Sequence, residues 1–445
     1  MAEKPHGGKV DRYRIVTPIG SGGFATVYRS VDERLGSEVA LKVLAENHSL
    51  VPDYRERFIS EAQHLRRVDS YWVASIFDLG ETEQLPAFLE EEVTYRGRRY
   101  GSPLSIQADL LIYNKRIFDR FDVPYPTSGM TWQEFIEMSK RVTYLPDDPA
   151  EAIYAVVYMR WEYLFYSMKG EFFSEDGTRI EIEAEPMRRA VQIYRDMIQK
   201  HEITLPMGAV STFAAQGGSG GGEFGGSYRQ LFADGRFAMV FRPKSMLVHL
   251  RYALENQKKA REEWLADPSR REDQRPEVLE LGTAVPPRFG DREPAYWARA
   301  RSVLVNRFGP NPERALRFLA YLRTPEYSRA VNENYDYMPP EPAFVDLGVG
   351  QGYSELDEVG AHENSKRALE FGHITRKSPF LQDLEVKRAV DQQIERLIAD
   401  PGLTVEAVLA DARRELEGVM RQRLGRDPDL MQLYQSRLAS QRVAR

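Results

Sequence analysis

The sequence has no cysteine. Disulfides, thiolate metal sites, cysteine nucleophiles and a lipid-modified N-terminal cysteine are therefore excluded. Histidine is scarce, and its 7 residues form no HExxH or other ligand-spaced cluster, so no metal is expected. No run of about 18 apolar residues occurs, and no membrane-spanning helix is expected. Basic surplus is missing too: 61 Lys and Arg stand against 67 Asp and Glu, a net charge of -6. Such a chain offers no positive field, and no nucleic-acid partner is expected. No nucleophile elbow is expected, since the string GxSxG occurs only inside the glycine-rich stretch 217–226. The paired carboxylates Glu90, Glu91 and Glu92 are consecutive, so they point different ways and read as a solvated run. The start, MAEKPHGGKV, is polar and lacks an apolar stretch of signal-peptide length; as written, the chain is expected in the cytoplasm.

What is present is a length of 445 residues, enough for two to four structural units at roughly 100–200 residues each. Its 42% hydrophobic content can fill their cores. The 23 Tyr, 21 Phe and 5 Trp serve equally as core or as stacking surfaces for flat apolar ligands such as sugar rings. Residues 12–45 alternate as short strands around a glycine-rich break, predicting an antiparallel sheet, and 53–68 place apolar residues at helical spacing. From about Glu83 onward longer helices alternate with short β-type runs such as LLIYN, FAMVFR and RSVLVN, which predicts α/β layering. The boundary falls near 80–90. Within the second part, Thr131 and Glu134 form a capping-box pattern, Pro186 opens a helix, and 404–424 read as an amphipathic helix. The glycine-rich stretch 217–226 fits a ligand-covering loop and an inert linker equally well.

The run Gly20-Ser21-Gly22-Gly23-Phe24-Ala25-Thr26-Val27-Tyr28 sits between two predicted strands, Val39-Ala40-Leu41-Lys42 follows on the next, and Glu61 lies in the next helix. Together these resemble the N-terminal lobe of a bacterial Ser/Thr protein kinase. The resemblance implies ATP phosphates under Gly20, Gly22, Gly23 and Val27, Lys42 on the α/β-phosphates, and Glu61 orienting Lys42. Ala25 replaces the third glycine of the pattern. The resemblance covers about residues 10–82, and neither an HRD nor a DFG tripeptide occurs anywhere, so phosphoryl transfer by this chain alone is not expected.

Further on, YRGRRYGSP (95–103) followed by LLIYNKRIF (110–118), then VPYPTSGMTWQEFIEMSKRVT, GEFFSEDGT, LFADGRFAMVF (231–241), the long stretch 302–340 and SPF (378–380) resemble, in order, the carbohydrate-type extracellular solute-binding proteins of ABC importers. The resemblance runs over about residues 85–445 and lacks the N-terminal part of that family. It implies an α/β fold of periplasmic-binding-protein type with two lobes, sugar held between them, delivery to importer membrane subunits, and no chemistry on the sugar.

Candidate cleft residues at matching positions are Gln107, Asp109, Trp161, Phe241, Arg242, Trp297, Arg301, Tyr335 and Tyr337. Aromatic faces suit sugar C–H surfaces, while carboxylates, amides and arginines suit hydroxyls. Each aromatic reads also as lobe core or hinge packing, and Asp109 also as a cap or hinge residue. The expected organisation is a kinase small-lobe-like segment of antiparallel β plus one helix over 1–84, and a solute-binding region over 85–445. A kinase-related ATP-binding regulator and a non-functional fusion of two incomplete domains stand as alternatives.

Overall fold

The structure, a computed structural model, describes residues 9–10, 13–21, 25–33, 37–44, 58, 94–95, 98–99, 101–206, 208–216, 228–267, 269–272, 275–304, 306, 310–335, 337–351 and 359–443. The chain divides into two compact units, 1–84 and 85–445. The first unit holds a four-stranded antiparallel sheet in the order β1 (Lys9–Val10), β2 (Tyr13–Ser21), β3 (Ala25–Asp32), β4 (Ser37–Leu44). On β3 the pleat turns Tyr28, Ser30 and Asp32 inward, the period-2 alternation of a half-buried strand. The β2 register slips twice, between Ile15 and Thr17 and between Pro18 and Gly20, where proline has no N–H to give the ladder. Phe58 is helical; the rest of the helix expected over 53–68, with Glu61, lies outside the described residues, as do Gly22, Gly23 and the loop 217–226.

The second unit opens on a short hairpin, β5 (Thr94–Tyr95) with β6 (Arg98–Arg99), and continues into β7 (Gly101–Ala108) and β8 (Leu110–Asn114). Strand β8 lies inside a mixed sheet of order β11-β8-β10-β9, with β9 at Tyr154–Val157, β10 at Phe237–Arg242 and β11 at Leu281–Ala284. Every residue of β8 is buried, because the sheet is covered on both faces; its continuous apolar LLIYN is the run such a strand requires. Leu111 and Tyr113 join one core and Leu110 and Ile112 the other.

The first core is filled from helices α1 (Lys115–Arg120), α2 (Trp132–Val142), α3 (Trp161–Ser167) and α4 (Glu185–Gln199). The second takes side chains from α5 (Ala209–Gln216), α6 (Tyr228–Ala233) and α7 (Met246–Leu265). After α8 (Pro312–Tyr321) and α9 (Pro325–Glu333), α10 (Ala361–Glu370) returns to the second core. Then α11 (Asp383–Ala399) and α12 (Val405–Arg426) pack on the first, and α13 (Pro428–Val443) ends the unit.

The local signals act as read. Thr131 Oγ1 accepts from the Glu134 amide at 3.2 Å while Glu134 Oε2 accepts from the Thr131 amide at 2.8 Å, a reciprocal cap on α2. Pro186 sits in the first turn of α4, where its missing N–H has no intrahelical partner to lose. Thr404 caps α12 by accepting from the Ala407 amide. A second sheet, of order β13-β12-β7 with β12 at Tyr296–Leu304 and β13 at Gly372–His373, leads away from the covered sheet and carries the candidate site. Among the described residues no helix is long and apolar enough to cross a membrane.

Candidate ligand-binding site

Strands β7 and β12 run antiparallel with Gln107 opposite Arg299 and Ser105 opposite Arg301; the register shifts just beyond Arg301. Alternation then sorts the ladder into two faces. Ile106, Ala108 and Tyr296 turn toward apolar cores, with Ala298 buried on the same face, and Ile106 exchanges both backbone hydrogen bonds with Met338, at 2.8 and 2.9 Å. Ser105, Gln107, Trp297, Arg299 and Arg301 share the opposite, polar face, which Asp109 continues beyond the end of β7. Four of the sequence candidates, Gln107, Asp109, Trp297 and Arg301, thus meet on one surface.

Helix α3 supplies the wall behind it. All seven of its residues are buried; five are apolar or aromatic, and the two polar ones, Glu162 and Ser167, are buried with hydrogen-bond partners in Arg160 and Trp132. Tyr163 and Tyr166, three residues apart, lie on the same helical face and both meet Trp297. Tyr166 stacks on it at 5.2 Å and 4° between planes, and Tyr163 meets it edge-on at 5.7 Å. Tyr163 donates its hydroxyl proton to Asp109 at 2.6 Å, and the same carboxylate is ion-paired with Arg299. Asp109 is buried, and the pairing with Tyr163 and Arg299 supplies the partners a buried charge needs. Burial, with the Asp109 carboxylate beside it, pushes the Tyr163 hydroxyl well above its ordinary pKa and keeps it a donor.

Cations gather on Trp297. The guanidinium of Arg299 lies 4.3 Å from its ring centroid, the ammonium of Lys387 4.8 Å and the guanidinium of Arg160 5.8 Å, all within cation–π range. Arg160 grips the fully buried Glu162 with two nitrogens, one at 3.1 Å. Burial works against the Arg160 charge, but that carboxylate more than offsets it and holds its pKa above the usual arginine value. Lys387 is pushed down by burial. One turn along α11 from Lys387, Asp391 accepts from the Trp161 indole N–H at 2.7 Å, and burial together with Glu162 raises its pKa. On the ladder, Gln107 Oε1 and Arg299 Nε are buried and find no hydrogen-bond partner among the described residues, an acceptor and a donor on directly opposed residues.

The remaining candidates scatter. Phe241 is fully buried, stacked on Tyr163 at 4.7 Å and packed on Trp132 and Phe135; it is core, with no ring face left for a ligand. Trp161 is likewise buried, its ring against Phe165 and Phe172. Tyr335 is buried too, at φ 52°, with the Lys244 ammonium over its ring. Arg242 lies 3.6 Å from the Tyr158 ring and 4.6 Å from Tyr228, and its charge is felt by Tyr163. Tyr158 holds a left-handed backbone, φ 62°, where β9 turns toward α3. Tyr337 is half-buried beneath Arg301, 3.8 Å from its guanidinium. Arg160, Glu162, Tyr163, Tyr166, Arg299 and Lys387 were not among the sequence candidates. Arg299 was within reach, since WARAR places 297, 299 and 301 on one strand face; nothing near Lys387 marks it.

The profile of the bacterial extracellular solute-binding protein family matches residues 64–356, more than half of the chain. The match begins inside the first compact unit, ahead of the division at 84 and 85. A short N-terminal region is 37% identical over 93 residues to a probable serine/threonine-protein kinase PknB of Corynebacterium glutamicum, spanning 20% of this chain and 14% of that protein. It is 40% identical over 72 residues to the serine/threonine-protein kinase PknA of Mycobacterium tuberculosis, spanning 16% of this chain and 17% of the kinase. The chain thus covers under a fifth of the length of these kinases.

Among solved structures, the fold is similar to an ABC substrate-binding protein of Listeria monocytogenes in complex with cycloalternan. The TM-score is 0.56 at 16% identity, over 76% of this chain and 75% of that one. A solute-binding protein of Thermotoga lettingae bound with α-D-tagatose gives 0.55 at 17%, over 81% and 79%. The cyclic α-maltosyl-1,6-maltose binding protein of Arthrobacter globiformis gives 0.53 at 17%, over 76% of each chain. With its mixed α/β fold and a family match over most of its length, the chain belongs to the bacterial extracellular solute-binding proteins.

Proposed function

We propose that the second unit binds a carbohydrate, without chemistry on it, and presents it to the membrane subunits of an ABC importer. The observation that carries this reading is the Trp297 surface. There an aromatic plane, fixed by its parallel stack on Tyr166, is bordered by hydrogen-bond donors from Arg299 and Arg301 on the polar strand face and from Arg160 at the start of α3. Sugars present exactly the complementary pair of features, apolar C–H patches and a rim of hydroxyls. Family membership and the sugars bound by the similar Listeria and Thermotoga proteins support the same reading. Titration calorimetry of the full chain with neutral and acidic mono- and oligosaccharides tests it. Binding that is lost in Trp297→Ala supports the proposal, and no heat with any saccharide refutes it.

A second reading attaches to the first unit. Lys42 on β4 pairs directly with Val27 on β3, the arrangement the kinase resemblance asks of residues around ATP, and the short kinase matches favour it. The Lys42 ammonium is 5.4 Å from the ring of Phe58. Mg-ATP binding abolished by Lys42→Ala supports this reading; no binding by the parent chain removes it.

A further inference from the structure

The carboxylates around Trp297 are already committed. Glu162 is held by Arg160, Asp109 by Arg299 and Tyr163, Asp391 by the Trp161 indole, and Asp383 by Lys377 at 2.8 Å. A site for neutral sugar needs free acceptors, because each sugar hydroxyl has a proton to give. On this surface the donors of Lys387, Arg299 and Arg301 outnumber the one acceptor left open, Gln107 Oε1. Among the described residues no hydrogen bond or ion pair reaches the Lys387 ammonium, which lies within 6.0 Å of the rings of Trp297, Tyr166 and Phe172 and feels the Glu162 and Asp383 carboxylates from beyond contact distance. Arg301, exposed at the open end of the same face, adds a further cation. Lys387 is half-buried, so an ammonium lacking an acceptor there forgoes both full hydration and a hydrogen bond.

We propose that the solute is an acidic saccharide of the uronic-acid class, its carboxylate taken by Lys387 and the arginines of the β12 face while its ring packs on Trp297. Hydrogen bonds between ionised partners are shorter and roughly twice as strong as neutral ones, so an anionic solute gains most where donors outnumber free acceptors. The inference rests on the carbohydrate reading and narrows it.

The test is calorimetry on the full chain with matched pairs: glucose with glucuronate, galactose with galacturonate, and the corresponding disaccharides. The proposal expects the acid of at least one pair to bind about tenfold tighter or better than its neutral partner. Lys387→Met, which keeps the stem's packing on the rings, should erase that preference, and Arg301→Gln should reduce it. Thermal melts of both variants, matched to the parent, exclude misfolding as the cause. Equal or tighter binding of the neutral partner overturns this inference and leaves carbohydrate binding standing, as does a preference that survives Lys387→Met in a folded protein. Binding of neither member of any pair overturns this inference and the carbohydrate reading together.

Discussion

Asp109 shows how much a single side chain holds in this site. Its carboxylate is buried, accepts from the Tyr163 hydroxyl and pairs with Arg299, whose own side chain is 32% exposed. Replacing it by alanine strands a buried hydroxyl and releases a guanidinium that water can partly reclaim. The expected loss is about 2 kcal/mol of unfolding free energy, read in a urea titration, below the cost of breaking a fully buried pair. Phe241→Ala removes a fully buried ring among Trp132, Phe135 and Tyr163, and should cost about 3–5 kcal/mol, with solute affinity falling only through instability.

Histidines set a pH dependence at the same scale. His362, burdened by burial and the Lys244 ammonium 3.3 Å away, and His373, burdened by burial, both have pKa values below the ordinary 6.5. The folded chain therefore binds fewer protons than the unfolded one below about pH 6.5, so their contribution is complete above that pH and is lost as pH falls toward their folded values. Urea midpoints should decline between about pH 7.5 and about pH 5, and the decline should become shallower in the His362→Gln, His373→Gln double variant, the remainder coming from His201 and His249, which burial also holds low.

At the scale of elements, the strand and helix signals carried further than the ligand candidates. LLIYN, FAMVFR and the cap at Thr131 are legible because a doubly covered strand and a reciprocal cap each leave a local pattern in the chain. Gln107, Asp109, Trp297 and Arg301 gather because β7 and β12 pair and a strand's period is two. Phe241 and Trp161 miss the surface for a related reason. An aromatic residue at a strand end or helix start reads the same whether it faces core or solvent, and only its long-range neighbours decide: α2 around Phe241 and Asp391 of α11 beside Trp161. Lys387 shares no strand, motif or spacing with Trp297; the side-chain contact that brings the α11 ammonium onto the β12 ring is long-range and leaves no mark in sequence. Thr131→Ala, which removes one half of the cap on α2, should cost about 1 kcal/mol in the same urea titration and leave solute binding unchanged.

At the scale of the molecule, the second unit has a sheet covered on both faces and a second sheet bearing the polar site, and its likeness to solute-binding structures holds at 16–17% identity. At that distance the fold is shared, while the ligand depends on this chain's own side chains. The site's character comes from pieces far apart in sequence: α3 near 163, β12 near 299 and α11 near 387. The central claim is that the Trp297 surface binds a saccharide. Titration calorimetry of the full chain and its Trp297→Ala variant against the saccharide panel tests this most directly, with Tyr252→Ala on the exposed side of α7 as control. The account predicts measurable binding by the parent and the control, and a loss of about 2 kcal/mol, roughly thirtyfold in Kd, in Trp297→Ala. Saccharide binding that is undiminished in a folded Trp297→Ala protein, or absent from the parent, contradicts it.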